Sequence, residues 1–167
     1  MRVSIAFLIH LIGFGILAGT LVAGYLLDSR FRKEQDLGLK VYTASLARRI
    51  GLLSPLAAGL LLLSGIGNII NDYGTSDLHW YDQGWLVAKL VLFTIMVLNG
   101  SIYGPRLTRG RLKLTQAQLD QPAEPNTAGR IQSYNRQIVL FYIVQSIILL
   151  LILFLSLFGT AKHPGAL

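Results

Sequence analysis

Hydrophobic residues gather into four long runs along this chain, Val3 to Leu27, Ile50 to Ile70, Trp85 to Tyr103 and Ile138 to Phe158, with polar and charged stretches between them. At a rise of about 1.5 Å per residue, a run of about 20 residues crosses a hydrocarbon core of about 30 Å. Within lipid each segment must satisfy its own backbone N–H and C=O groups, so the runs read as helices rather than strands. The pattern predicts an all-α fold: a polytopic membrane protein, built as an antiparallel four-helix transmembrane bundle in a single membrane domain over residues 1–167. The first run exceeds the roughly 7–15 apolar residues of a signal-peptide core and is expected to be a retained helix.

The polar segments then set the expected orientation. The loop 28–49 carries Arg30, Arg32, Lys33, Lys40, Arg48 and Arg49, and the loop 104–137 carries Arg106, Arg109, Arg111, Lys113, Arg130 and Arg136. The loop 71–84 has no lysine or arginine but holds Asp72, Asp77 and Asp82. Positively charged loops stay on the cytoplasmic side, so both basic loops are expected in the cytosol and both termini outside, in a multi-pass protein of the bacterial inner membrane. Val41 to Arg49 and Thr127 to Gln137 read as amphipathic helical extensions that run into the second and fourth spans. Between them, Arg111 to Asn126 (RLKLTQAQLDQPAEPN) reads as a solvated linker marked by Pro122 and Pro125.

Composition supports this picture and narrows the chemistry. Hydrophobic residues make up 53% of the chain and charged ones 14%, so a large soluble domain is excluded. The net charge of +7 is accounted for by the two basic loops, with attraction to anionic lipid, rather than by nucleic-acid binding. The chain has no cysteine, which removes disulfides, thiolate nucleophiles and iron–sulfur ligation. No carboxylate falls in a span, against a proton-pumping relay, and all eight are expected in loops. Met1 and Met96, with His10, His79 and His163, are too scattered for copper passage. No P-loop, zinc-peptidase helix or nucleophile elbow occurs, and Gly65-Ile66-Gly67 is helix packing.

The informative residues are therefore the polar ones inside the spans. His10 lies roughly 10 Å below the outer end of the first helix, and Lys89 roughly 6 Å below the same surface on the third. Ser64, Asn68 and Asn71 line one face at the outer end of the second helix, where one polar pocket would collect them with His10 and Lys89. His10 is either a buried histidine hydrogen-bonded to a neighbouring helix or a ligand and proton-transfer residue. Its stripe is Gly13, Phe14 and Leu17, while Gly15 and Gly19 form a small-residue face on the opposite side. Lys89 either snorkels toward Asp82, Trp80, Tyr81 and Trp85 or meets an anion brought in from outside, such as a tetrapyrrole propionate, a lipid headgroup or a partner subunit's carboxylate. Trp85, one turn earlier, is placed for a cation–π contact. Asn99 and Gln145 are expected to bond between helices.

Two stretches carry a family resemblance: Ile9-His10-Leu11-Ile12-Gly13 on the first helix and Gly84-Trp85-Leu86-Val87-Ala88-Lys89-Leu90 on the third. Together they resemble the superfamily of the HemJ-type protoporphyrinogen oxidases and the CopD copper-resistance membrane domain. With Gly104-Pro105-Arg106-Leu107 at the end of the third span, the chain is more similar still to an uncharacterised bacterial family of small four-helix membrane proteins. The likeness covers most of the chain loosely. It implies a haem- or porphyrin-associated redox protein with haem b as cofactor, in which His10 and Lys89 match the functional pair and His10 is the metal ligand. Asn68 joins them as a cofactor-binding candidate. The sequence departs from the HemJ-type pattern at Val87, where that group typically has a histidine, and no second histidine lies within the spans. The competing expectation is a non-catalytic accessory subunit of a larger membrane complex. There Lys89 and the Gly15/Gly19 face would meet other subunits or a second copy of the chain.

Overall fold

In a computed structural model the described residues are 5–73, 79–120 and 126–158. Asp77, Pro122, Pro125 and His163 lie outside them. Six α-helices follow in order: α1 (Ile5–Lys33), α2 (Leu37–Gly51), α3 (Leu53–Tyr73), α4 (Gly84–Leu98), α5 (Gly104–Asp120) and α6 (Thr127–Phe158). A single 3-10 turn, Trp80–Asp82, precedes α4, and a π-helical turn, Asn99–Tyr103, joins α4 to α5. No strand occurs among the described residues. Four helical stretches are long and apolar enough to cross a membrane: Ile5–Lys33, Leu37–Asn71, Gly84–Asp120 and Thr127–Phe158. The chain is an all-α four-helix bundle and a multi-pass membrane protein. Its outward-facing side chains agree with that solvent, since Ile5, Leu63 and Leu150 are 78%, 71% and 63% exposed.

Local chemistry explains the boundaries. Asp36 caps α2 by accepting the Leu39 N–H at 2.7 Å. Only Leu52 separates α2 from α3, and its N–H still bonds back to the Arg49 carbonyl at 3.1 Å. Pro55 is tolerated because it stands in the first turn of α3, where the missing N–H has no intrahelical partner. The π turn has a comparable cause. Pro105 cannot donate to the carbonyl four residues back and its ring crowds it, and widening the preceding turn relieves that conflict without ending the helix.

Two stretches depart from expectation. Residues 28–49 are almost wholly helical rather than a loop, because α1 continues to Lys33 and α2 begins at Leu37. The stretch read as a solvated linker is helix α5 as far as Asp120, held by a buried stripe of Gly104, Leu107, Arg111 and Thr115 at spacings of three and four. The amphipathic extension at Thr127 does run unbroken into the last span, giving α6 32 residues and a length of about 48 Å.

The helices stand in the order α3, α1, α6, α4: α3 packs on α1, α1 also on α6, and α6 on α4. The second and third spans scarcely touch, α3 meeting the third segment at the π turn, so the ring of helices is left with a seam. A core of Met96, Ile148 and Ile152, with Leu17, Leu92 and Phe93 around it, fills the angle between α4, α6 and α1. At the end bearing the basic segments, called here the basic end, α2 packs across α1 and α5, and α5 on α6.

Candidate functional site

His10 and Ser64 meet at the opposite end of the bundle, where α1 crosses α3. Gly13, one turn along α1, lets the helices come this close, for a methyl group there would sit 3.1 Å from Leu61 Cγ and 3.3 Å from the Leu61 backbone nitrogen. The ring nitrogen Nδ1 of His10 lies 2.9 Å from Ser64 Oγ. Ser64 has one hydroxyl hydrogen, and its Oγ lies 2.6 Å from the Leu60 carbonyl one turn back. With that hydrogen committed, Oγ accepts from the imidazole, so Nδ1 carries the proton and Nε2 keeps its lone pair. Gly65 leaves room beside the ring, 3.7 Å separating His10 Cε1 from a methyl group placed there. The bonded histidine expected from its apolar surroundings is thus present, and the bond leaves the other nitrogen available as a ligand or base.

Lys89, half-buried on α4, has no hydrogen-bond or ion-pair partner among the described residues. It lies within electrostatic reach of His10, so the structure brings the two together at one end of the bundle. The stack with Trp85 is not formed among the described residues; Trp85 Nε1 is instead buried without a hydrogen-bond partner. Asn68 stands half-buried one turn beyond Ser64 on α3 and makes no hydrogen bond to the pair, while Asn71 is exposed. The expected pocket is reduced to His10, Ser64 and a neighbouring Lys89. Among the described residues no three His, Cys, Asp or Glu side chains cluster to hold a metal ion, so His10 is the single ligand available there.

The opposite glycine face finds no helix. Methyl groups at Gly15 or Gly19 would meet nothing within 4 Å, whereas Gly24 is covered by Tyr142 of α6. The glycines that seat neighbours within this chain are therefore Gly13 and Gly24, not the spaced pair.

Sequence reasoning missed the strongest polar cluster in the molecule. Asp28, expected in a loop with the other carboxylates, is in α1, with its side chain only 1% exposed. Arg111 of α5, 2% exposed, donates from one guanidinium nitrogen to Asp28 Oδ1 at 2.5 Å and to Asn135 Oδ1 of α6 at 3.0 Å. Its guanidinium carbon lies 4.0 Å from the centre of the Phe31 ring. Arg32 adds a second cation to Asp28, with Nε at 3.0 Å. Burial pushes the Arg111 guanidinium below its ordinary pKa, and the Asp28 carboxylate works in the opposite direction. The cluster ties three helices together at the basic end. Asp28 lies 23 residues beyond Ile5, about 35 Å along α1, which is past the thickness of a hydrocarbon core. One signal was present in the sequence: Leu107, Arg111 and Thr115 share one helical face with Gly104.

Between this cluster and the hydrophobic core, the seam between α3 and α4 opens into a cavity of about 340 Å³. It reaches from Met96, Gln145 and Leu149 at mid-bundle to Arg48 and Arg109 at the basic end. Gln145 forms the interhelical bond expected of it, Nε2 donating to the Met96 carbonyl at 3.1 Å. His10 and Lys89 do not line this space.

No family model matches the chain, and no curated protein or solved structure matches it either.

Proposed function

We propose that this is a small redox-associated membrane protein that holds a b-type haem or a related porphyrin at its His10 and Lys89 end, as a distant relative of the HemJ-type oxidases and the CopD domain. The observation that carries the reading is the Ser64 contact. By taking the Nδ1 proton it presents His10 Nε2 as a lone-pair donor, the arrangement that second-shell partners give metal-bound imidazoles. The donor set fits one axial nitrogen and one cation. His10 would hold the iron or accept a proton, Lys89 would pair with a propionate, and Asn68 would offer an amide on the same wall. Bound haem would supply one-electron chemistry that none of these side chains has. The chain's own contribution is the imidazole's orientation and a partnerless ammonium in a low-dielectric setting, where an anion is held more strongly than in water. In this reading the basic end faces the cytosol and the His10 end faces outward across the bacterial inner membrane.

The test is an absorption spectrum of protein purified after expression with an adequate haem supply. A Soret band that is lost in His10→Ala and weakened in Lys89→Gln is expected. Protein without a Soret band, or one unchanged by His10→Ala, overturns the proposal.

A second reading, an accessory subunit of a larger membrane assembly, is favoured by the uncovered Gly15 and Gly19 face together with the unclosed seam between α3 and α4. Mild-detergent extraction from native membranes is then expected to bring partner chains with the protein, and a monodisperse monomer overturns it.

A further inference from the structure

The cavity in the seam belongs to the other half of the molecule from His10 and Lys89, and what it can bind is a separate question from the tetrapyrrole reading. Its walls are largely apolar, from Leu17, Leu21 and Ala58 to Phe141 and Leu149, and its volume of about 340 Å³ falls at the lower end of small-molecule sites. Its two ends differ in character. At the basic end stand Arg48 and Arg109, which have no ion-pair partner among the described residues, and no carboxylate lines the space. At the deep end stands Gln145, 5% exposed, whose Nε2 is used by Met96 but whose Oε1 is buried with no hydrogen-bond partner. A buried carbonyl oxygen left unbonded is costly, so the space around it is suited to a donor from outside the protein. Arg109 lies 13 residues beyond Met96, so the two ends are separated by roughly 20 Å along the helix.

We propose that this cavity is a binding site for an anionic amphiphile. Its carboxylate or phosphate head is held between Arg48 and Arg109, and its apolar body lies in the seam toward Gln145. A donor reaches Gln145 Oε1 either from the body of the ligand or as a water carried in with it. An uncharged lipid would leave the two guanidinium groups unmatched, and a small free anion would leave the apolar walls empty; the two features together select a molecule with both. Arginine suits the head because its planar fork pairs with carboxylate and phosphate oxygens. The seam opens the cavity between α3 and α4, so the ligand can arrive from the bilayer.

The experiment measures equilibrium binding of radiolabelled oleate and of radiolabelled dioleoyl phosphatidylglycerol to the full chain in dodecyl maltoside, with dioleoyl phosphatidylcholine as the uncharged comparison. Saturable binding of one anionic amphiphile per chain is expected, with the two labelled probes distinguishing a free fatty acid from a membrane phospholipid. The double variant Arg48→Gln/Arg109→Gln is expected to weaken it by about tenfold or more. Gly51→Phe is expected to abolish it, since Gly51 lines the cavity and a Cβ there meets nothing within 4 Å, so the ring can enter without a clash at its base. Arg30→Gln, a charge change outside the cavity, is expected to leave it unchanged. Equal uptake of phosphatidylcholine, or binding that survives both the double variant and Gly51→Phe, overturns the proposal. Loss in Gly51→Phe with full retention in the double arginine variant overturns the anionic head.

Discussion

Neutralising Asp28 tests the account of the basic end most directly, because the two partners of its ion pair are unequally provided for. Arg111 is 2% exposed and has one anionic partner, Asp28; its other contacts, the Asn135 side-chain oxygen and the Phe31 ring, are neutral. Asp28→Asn therefore strands a buried guanidinium, for which the expected cost is about 3–5 kcal/mol. Removing the other partner is less severe. In Arg111→Met, Asp28 keeps Arg32 Nε at 3.0 Å, and Arg32, 35% exposed, also reaches water. The expected cost is about 1–3 kcal/mol, that of one lost buried hydrogen-bond set rather than of an isolated charge. The double variant Asp28→Leu/Arg111→Met removes both charges from the interior and is expected to cost no more than Arg111→Met alone. Purified protein in dodecyl maltoside, titrated with sodium dodecyl sulfate and followed by helical circular dichroism, gives the three values. A cost below about 0.5 kcal/mol for Asp28→Asn, or a larger cost for Arg111→Met than for Asp28→Asn, refutes the reasoning.

Gly13→Ala is expected to destabilise by about 1–3 kcal/mol, because its methyl group presses on the Leu61 backbone, while Gly19→Ala, facing open space, is neutral or stabilising; thermal melts in detergent compare them. Ser64→Ala leaves the His10 Nδ1–H without its acceptor and is expected to lower haem affinity about 10- to 100-fold in the loaded protein, read from Soret titrations; an unaltered affinity removes Ser64 from the site. The absence of cysteine makes single-cysteine labelling clean. With a membrane-impermeant maleimide on intact cells, Tyr81→Cys is expected to react, and Arg30→Cys and Lys113→Cys only after permeabilisation; the reverse pattern inverts the proposed topology.

The spans were legible because burial in lipid imposes one requirement on every residue of a segment, and twenty consecutive apolar residues meet it visibly. The contact of His10 with a neighbouring helix was legible for a related reason, since an imidazole in that setting must find a partner, and Ser64 stood at matching depth. What escaped was polar structure at the basic end. Arg111 reads as one more topology charge until the helical phase of Leu107 and Thr115 is laid over it, and Asp28 reads as a loop residue because it follows the last leucine of an apolar run. Both are helical and buried because α5 exists as a packed helix, and its low hydrophobicity concealed that. The Gly15 and Gly19 spacing misled in the other direction: small residues permit close approach, but which glycine receives a neighbour is decided by the side chains opposite, Leu61 for Gly13 and Tyr142 for Gly24.

The π turn at Asn99–Tyr103 carries a consequence for how the length of this chain can change. It holds one more residue than an α-helical turn would need, and everything after it, including Gly104 against Phe141 and Arg111 against Asp28, is phased by that surplus. Deleting a single residue there would swing the rest of α5 by about 100° about its axis and carry Arg111 off the side that Asp28 occupies. In a helix without a loop to absorb the change, the number of residues between Met96 and Arg111 is as constrained as their identities.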